Sequence, residues 1–195
     1  MIIKTDKKDL YIIPQICNTK CEVCNEDISK ISNNIIDINI VKNVISSNKY
    51  DNINIIGGEL EMYRNWEELI MLLKKKKNVN LYTNALNFEF IEKIFRIKNI
   101  NVKFKILTSS LKYPILTNKN NSELIKSIEL FMKNRRKYDI IIKYINDFYS
   151  MNDDYIEYRK YIKKSNKTYF IGFNKKFKNS YKDIFNFKNI VYLDT

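Results

Sequence analysis

The sequence predicts an α/β fold of one domain, in which parallel strands are separated by helices. Six short runs rich in Ile, Val, Tyr and Phe alternate with longer segments whose apolar residues recur at helical spacing. The chain has 195 residues, 45% of them hydrophobic, which is enough to bury the core of a single domain. Such an alternation is typical of βα units joined by right-handed crossovers. The predicted sheet is either a doubly wound layer or the arc of a barrel, because periodicity does not distinguish the two.

Each predicted strand is a short run that is continuously apolar or alternates apolar and polar residues. In chain order the predicted strands are 10–15 (LYIIPQ), 52–56 (NINII), 79–83 (VNLYT), 101–107 (NVKFKIL), 139–145 (DIIIKYI) and 168–173 (TYFIGF). The first strand ends at a group of cysteines, and the second ends at two adjacent glycines. A last apolar run at 189–193 (NIVYL) is either an added strand or a covering segment.

The predicted helices fill the segments between these strands. They lie at 35–47, 65–75, 89–97, 122–133 and 153–163. The first of them places Ile38, Val41 and Ile45 on one face, as a helix that packs on a sheet requires. We therefore predict a single domain over 1–195, with a core at about 8–173 and a C-terminal tail at 174–195.

The composition is basic, with 35 Lys and Arg residues against 22 Asp and Glu residues and a formal net charge of +13. This charge raises nucleic acid as a partner, but the basic residues are spread along the chain, so codon bias toward Lys is favoured instead. No stretch has the apolar length of a membrane span, and charged residues interrupt the N-terminus where a signal peptide would be apolar. A cytoplasmic protein without a membrane partner is expected.

Three cysteines, Cys17, Cys21 and Cys24, lie in one short segment with the spacing Cys-x3-Cys-x2-Cys. An odd, tightly clustered set is a poor disulfide framework and is typical of a metal centre held by thiolates. A [4Fe–4S] cluster normally takes four cysteines. This chain has no fourth cysteine and no histidine, which leaves one iron open for a non-protein ligand. Zinc, with a carboxylate such as Glu26 or Asp27 as its fourth ligand, is the alternative.

The cysteine spacing after the first predicted strand resembles the signature of the radical S-adenosylmethionine (radical SAM) enzymes. The resemblance implies a partial (β/α)6 barrel of parallel strands that binds a [4Fe–4S] cluster and S-adenosylmethionine. In that family the amino and carboxylate groups of S-adenosylmethionine chelate the open iron. The reduced cluster cleaves the molecule to a 5′-deoxyadenosyl radical, which abstracts hydrogen from a substrate. The resemblance therefore implies that the three cysteines act in catalysis through the cluster.

A second motif, Gly57-Gly58-Glu59, follows the second predicted strand and is similar to the family's Gly-Gly-Glu-Pro segment, with Leu60 in place of proline. Glycines allow the backbone to approach a ligand closely. A carboxylate such as that of Glu59 accepts charge-assisted bonds from an ammonium group, here that of the methionine moiety. Both motifs follow strands of a parallel sheet, so they are expected to meet at the carboxyl edge of the sheet.

Weaker matches extend the predicted cofactor site to further strand ends. The polar residues at those ends are Thr83, Asn84, Ser109 and Asn146. Ala85 stands where the family's Thr-Asn-Gly has glycine, and Val23 stands where an aromatic residue usually lies near the adenine. Helix caps and turns explain the polar residues equally well.

The resemblance implies an oxidoreductase-type enzyme, and the short chain favours a laterally open barrel that admits a large substrate. Hydrogen abstraction from a peptide or protein, by a maturase or a glycyl-radical activase, is the leading prediction. A nucleoside- or pterin-type small molecule, as in the deazaguanine synthases, is the alternative substrate. A non-catalytic iron–sulfur or zinc module is the alternative of another class. The expected electron donor is a reductant such as flavodoxin or ferredoxin.

Overall fold

The structure, a computed structural model, describes residues 1–21, 35–47, 49–108, 110–143, 151–171 and 190–193. These residues form one sheet of eight strands whose spatial order follows the chain, from β1 to β8. The strands are β1 (Ile2–Asp6), β2 (Asp9–Ile13), β3 (Asn52–Ile55), β4 (Val79–Thr83), β5 (Ile100–Ile106), β6 (Asp139–Lys143), β7 (Lys167–Ile171) and β8 (Ile190–Leu193). Within the described ranges β1 and β8 are the two edges, so the sheet is open.

The helices follow the strands as predicted. They are α1 (Ile38–Ser46), α2 (Trp66–Leu73), α3 (Phe88–Phe95), α4 (Tyr113–Thr117), α5 (Ser122–Lys133) and α6 (Met151–Lys164), with a short 3-10 helix at Leu60–Met62. All six predicted strands and five predicted helices are present in order. The predictions missed β1, α4 and the 3-10 helix. The last apolar run, predicted as either an added strand or a covering segment, forms the strand β8.

The pairing of the strands confirms the predicted parallel sheet. β1 pairs antiparallel with β2, and every later pair, from β2 with β3 to β7 with β8, is parallel. In such a sheet the carboxyl ends of neighbouring strands lie side by side. The segments after β2, β3, β4 and β5 therefore lie along one edge.

The two faces of the sheet differ because side chains alternate along each strand. One face is apolar and packs against the helices; its buried side chains include Ile53, Leu81, Val102, Phe104 and Ile140. Phe104 meets Phe131 of α5 edge to face, with ring centroids 5.4 Å apart. The opposite face carries polar side chains, among them Asn54, Asn80, Tyr82, Lys103 and Lys105. A sheet with one apolar and one polar face suits a barrel whose interior holds polar ligands.

An ion pair between the middle of β5 and the start of β6 occupies the polar face. The Nζ of Lys103 lies 2.9 Å from the Oδ2 of Asp139, and each side chain is only 12% exposed. The rings of Tyr82 and Tyr169 flank the ammonium at 5.5 and 4.9 Å. The pair lies among polar and aromatic groups, which offset the desolvation of its charges.

Within the described ranges, the helices are too short or too polar to cross a membrane.

Candidate active site

Glu59 lies at the centre of the carboxyl edge, directly after β3, and its side chain is only 1% exposed. Its Oε2 accepts a hydrogen bond from the hydroxyl of Thr83 at 2.6 Å. Its Oε1 accepts one from the backbone N–H of Asn84 at 2.9 Å and lies 2.9 Å from the Nζ of Lys105. The carboxylate therefore joins the ends of β3, β4 and β5. Its two partners from β4 are Thr83, the last residue of the strand, and Asn84, which follows it.

The two glycines before Glu59 pack against the segment that leads to the cysteines. The backbone N–H of Gly58 donates to the carbonyl of Pro14 at 2.7 Å, and that of Glu59 donates to the carbonyl of Ile16 at 2.8 Å. A Cβ on Gly58 would lie 2.2 Å from the oxygen of Ile16, and Gly57 adopts a φ of +130°. The cysteine segment and the glycines meet as predicted. The close approach seen here is to the chain's own backbone, and the role of the glycines toward a cofactor stays a prediction.

Cys17 and Cys21 lie side by side in that segment. The hydroxyl of Thr19 is 3.3 Å from the Sγ of Cys17 and 3.4 Å from the Sγ of Cys21. Burial and the charge of Glu59 raise the pKa of the Cys17 thiol, and Thr19 and Lys105 oppose the shift. Two thiols that contact the same hydroxyl group are close enough to bind one metal centre.

Four of the predicted site residues lie outside the described residues: Val23, Cys24, Ser109 and Asn146. Within the ranges that the structure describes, no three His, Cys, Asp or Glu side chains form a metal-binding group. Cys24 as the third sulfur ligand therefore remains a prediction, as do the cofactor contacts of Val23, Ser109 and Asn146.

Ala85 explains how this chain departs from the Thr-Asn-Gly motif. Its backbone has a φ of +53°, in the left-handed region that favours glycine. Its N–H donates to the hydroxyl of Thr83 at 2.9 Å, and its methyl group is buried. The turn after β4 thus keeps the conformation of a glycine turn, and Thr83 stays in position to bind Glu59.

Three further side chains that the sequence did not single out lie at the same edge: Asn18, Glu61 and Lys105. The amide of Asn84 donates to Asn18 at 2.8 Å, and the amide of Asn18 donates to Glu61 at 2.9 Å. A cleft of about 520 Å³ opens beside this chain of amides, and Asn18 and Glu61 are part of its wall. In a sequence with so many Asn and Lys residues, no local signal singles out Asn18 or Lys105.

Glu61 has a buried carboxyl group, and only one of its two oxygens has a hydrogen-bond partner among the described residues. Its Oε1 accepts the bond from Asn18, whereas its Oε2 is buried and lacks a hydrogen-bond partner among the described residues. Burial and the neighbouring charge of Glu59 raise its pKa from 4.5 to about 8, and Lys105 offsets this only partly. Lys105 thus pairs directly with Glu59 and acts on Glu61 only through its charge.

Replacing Glu61 with glutamine is expected to stabilise the metal-free protein at high pH. The unfolded chain releases the Glu61 proton near pH 4.5 and the folded chain near pH 8. Between these values the folded state holds more protons, so its stability falls as the pH rises. Glu61→Gln keeps an oxygen for Asn18 and removes the charge. We expect a gain of about 2–4 kcal/mol near pH 9 and none near pH 4, measured by urea unfolding.

The control for this prediction is Glu67→Gln, because the Glu67 side chain is 59% exposed. It should change stability by less than about 1 kcal/mol at either pH. Curves for wild type and Glu61→Gln that run parallel from acid to alkaline pH would contradict the prediction.

The fold and the site together define an open parallel barrel with paired thiols and a buried carboxylate at its carboxyl edge. The fold matches that of Streptococcus suis SuiB bound to S-adenosylmethionine, with a TM-score of 0.74 over 96% of this chain at 17% identity. SuiB bound to the precursor peptide SuiA gives a TM-score of 0.75 over 98% at 16% identity. A radical SAM methyltransferase from Sphaerobacter thermophilus gives 0.73 over 99% at 11% identity. No protein-family profile and no curated protein matches the sequence.

These likenesses establish the fold. The chain has the partial-barrel fold of the radical SAM enzymes, which confirms the fold that the cysteine spacing implied. Seven parallel strands, β2 to β8, are present where six were predicted, because the last apolar run pairs with β7. The chain spans about half of the SuiB chains, 47% and 50%, and 68% of the methyltransferase chain.

Proposed function

We propose that this chain is a radical SAM enzyme that holds a [4Fe–4S] cluster through Cys17, Cys21 and Cys24. One observation carries the proposal. The thiols of Cys17 and Cys21 both contact the hydroxyl group of Thr19. They lie near the buried Glu59, at the carboxyl edge of a barrel with the radical SAM fold. A structural zinc site would need a fourth protein ligand, whereas a cluster with three cysteines keeps an iron open for S-adenosylmethionine.

The charges of the site fit the methionine moiety of S-adenosylmethionine. Among the described residues, Lys105 is the cation that acts on both Glu59 and Glu61, and the buried Oε2 of Glu61 has no hydrogen-bond partner there. An ammonium group would therefore be favoured here, and Lys105 is the complementary cation for a carboxylate. Lys105 also donates to the carbonyl of Gly57 at 3.1 Å. Its ammonium thus occupies the Glu59 carboxylate, the acceptor that the sequence assigned to the methionine ammonium, so we expect Lys105 to shift when the cofactor binds.

The chemistry would come from the bound cofactors. Held by Cys17, Cys21 and Cys24, a reduced cluster would supply the electron for cleavage of S-adenosylmethionine and hence for hydrogen abstraction from a substrate. The protein's own residues bind and orient: the cysteines fix the cluster, and Glu59 fixes the ends of three strands around it.

The proposal predicts that S-adenosylmethionine contacts the cluster directly. The reconstituted, reduced protein should give an electron paramagnetic resonance (EPR) spectrum whose g-values change when S-adenosylmethionine is added. S-adenosylhomocysteine, which lacks the sulfonium charge, serves as the comparison ligand. A spectrum that is unaffected by S-adenosylmethionine would favour a non-catalytic iron–sulfur module.

We propose a peptide or protein as the substrate. Among the described residues the lateral edges of the sheet are open, which favours a large substrate, and one structure of similar fold is SuiB bound to the precursor peptide SuiA. Anaerobic incubation with candidate peptides and with pterins, followed by mass spectrometry, separates the two substrate classes. A mass change in a peptide supports the proposal, and conversion of a pterin instead would exclude it. A reductant such as flavodoxin or ferredoxin remains the expected electron donor.

A further inference from the structure

A basic surface lies at the amino edge of the sheet, opposite the edge that carries Glu59. Helices α3, α5 and α6 end there, and strands β5, β6 and β7 begin there. Two clefts of about 530 and 490 Å³ open between these elements, and they adjoin because Arg136 and Lys137 line both. The exposed cations that line the clefts, here called the basic edge, are Arg96, Lys98, Lys133, Arg135, Lys137 and Lys164.

The positive charge of the basic edge is largely unneutralised. Among the described residues, no Asp or Glu lines either cleft. Arg96 lies 4.0 Å from the carboxylate of Glu92, and Lys133 lies 3.5 Å from that of Glu129. The other four cations form no ion pair within the described ranges. Such a surface attracts an anionic partner.

Helix dipoles account for only part of this charge. A cation in the last turn of a helix is favoured by the negative end of the dipole, as for Lys133 in α5 and Lys164 in α6. Lys98, Arg135 and Lys137 lie beyond the helix ends, in the turns that lead to β5 and β6. The influence of a helix end falls off within one turn, so it does not explain all three. Cations that are spread along the sequence are thus gathered by the fold at one place.

Arg136, which lines both clefts, is held in place from two sides. Its guanidinium donates to the carbonyls of Ile97 and Ile100, the second at 3.1 Å. It also packs against the rings of Phe95 and Phe131, with 5.1 Å to each ring centroid. These contacts join the ends of α3 and α5 to the start of β5. The two clefts are therefore formed before a partner binds.

The lining of the clefts favours an acidic peptide over a nucleic acid. Proteins that bind single-stranded nucleic acids stack the bases on accessible aromatic rings. Of the two rings that line these clefts, that of Phe95 is covered by a guanidinium, and Tyr138 is only 3% exposed. The side-chain amides of Asn101 and Asn134 lie among the cations instead. Cations and amides in a concave wall suit the carboxylates and backbone of a peptide.

We propose that the basic edge docks an acidic segment of the peptide substrate. The polar face of the sheet leads from there to the cofactor site: Asn101 lines one cleft, Lys103 and Lys105 follow it on the same face of β5, and Lys105 pairs with Glu59. From Asn101 to Lys105 the strand rises about 13 Å, a distance that about four extended residues of a docked peptide would cover. The inference deepens the proposed function, on which it rests for the reaction. Docking itself requires neither the cluster nor S-adenosylmethionine.

The test measures the binding of short fluorescein-labelled peptides to the full, reconstituted chain by fluorescence anisotropy. One peptide is rich in glutamate, and the other has glutamine at the same positions. The docking variant combines Lys98→Gln, Arg135→Gln and Lys137→Gln. The control variant removes the same charge from three exposed lysines that line neither cleft, and it combines Lys4→Gln, Lys7→Gln and Lys42→Gln.

Wild type should bind the glutamate peptide, and rising salt should weaken this binding because exposed charges are screened. The docking variant should bind it about tenfold more weakly, since three exposed ion pairs are lost. The control variant should stay within about twofold of wild type, because its charges lie away from the docked peptide. Both variants alter only exposed side chains, so they should unfold at the wild-type temperature and cleave S-adenosylmethionine at the wild-type rate without peptide.

Equal losses in the docking and control variants would overturn the inference, because net charge alone would then attract the peptide. Equal binding of the glutamine peptide would overturn it as well. Tighter binding of a single-stranded or duplex RNA, lost in the docking variant, would make nucleic acid the partner instead. If wild type makes 5′-deoxyadenosine but does not bind the glutamate peptide, the inference alone fails. If it binds the peptide but makes no 5′-deoxyadenosine, the proposed reaction fails and the docking surface stands.

Discussion

Replacing Cys21 with alanine is expected to abolish assembly of the iron–sulfur cluster while the chain stays folded. The three cysteines are the only thiols in the sequence, and there is no histidine to take the place of a lost ligand. Wild type should hold about four irons and as many sulfides per chain after reconstitution, and Cys21→Ala only a small fraction of that. The measurement is iron and sulfide content after removal of unbound metal, with visible absorbance as a second reading.

The control for this prediction is thermal unfolding of the metal-free proteins. Cys21 is partly exposed in its segment, so Cys21→Ala should unfold within a few degrees of wild type. A variant that is folded and holds as much iron as wild type would mean that the cluster site is elsewhere. Zinc in place of iron in wild type would contradict the cluster assignment itself.

Replacing Lys105 with methionine is expected to destabilise the metal-free protein by about 3–5 kcal/mol. The Glu59 carboxylate is 1% exposed, and its ion pair with Lys105 is 2.9 Å long. Without Lys105 the carboxylate keeps the donors from Thr83 and Asn84 but loses its counter-charge in a buried environment. Removing one partner of a buried pair is costly because the other charge stays desolvated. Urea unfolding at neutral pH measures the loss.

Two variants make this prediction specific. Glu59→Gln combined with Lys105→Met should recover part of the lost stability, since it removes the uncompensated charge. The matched control is Lys93→Met, which breaks a 2.6 Å ion pair with Glu67. The side chains of Lys93 and Glu67 are each 59% exposed. It should cost less than about 1 kcal/mol. Equal losses of stability in Lys105→Met and Lys93→Met would show that the buried ion pair stabilises the fold no more than the exposed one does.

The order of strands and helices could be predicted because each parallel strand in this chain has a strong apolar signal. The runs NINII and VNLYT became β3 and β4 at the positions expected. β1 was missed because its five residues, IIKTD, are mostly exposed and form an antiparallel edge with little apolar burial. α4 was missed because a five-residue helix that begins Tyr-Pro gives no helical periodicity.

The site was predictable only where residue type and spacing are rare in this sequence. Cysteine and glycine are scarce here, with three of each, so the cysteine segment and Gly57-Gly58 were conspicuous. Lys105 lies 46 positions from Glu59 in the sequence, and the fold alone brings the two side chains together. Such long-range contacts depend on strand register, which a single sequence does not reveal. Ala85 replaces the glycine of the Thr-Asn-Gly motif, and its backbone still adopts the left-handed conformation that glycine favours.

The most direct test of the central claim is whether the protein makes 5′-deoxyadenosine from S-adenosylmethionine. The wild-type protein and Cys21→Ala are reconstituted anaerobically with iron and sulfide, reduced with dithionite and given S-adenosylmethionine, and the product is quantified by chromatography. We predict 5′-deoxyadenosine from wild type and none above background from Cys21→Ala. A fully assembled cluster in wild type that gives no 5′-deoxyadenosine, with peptide substrates present or absent, would contradict the assignment as a radical SAM enzyme.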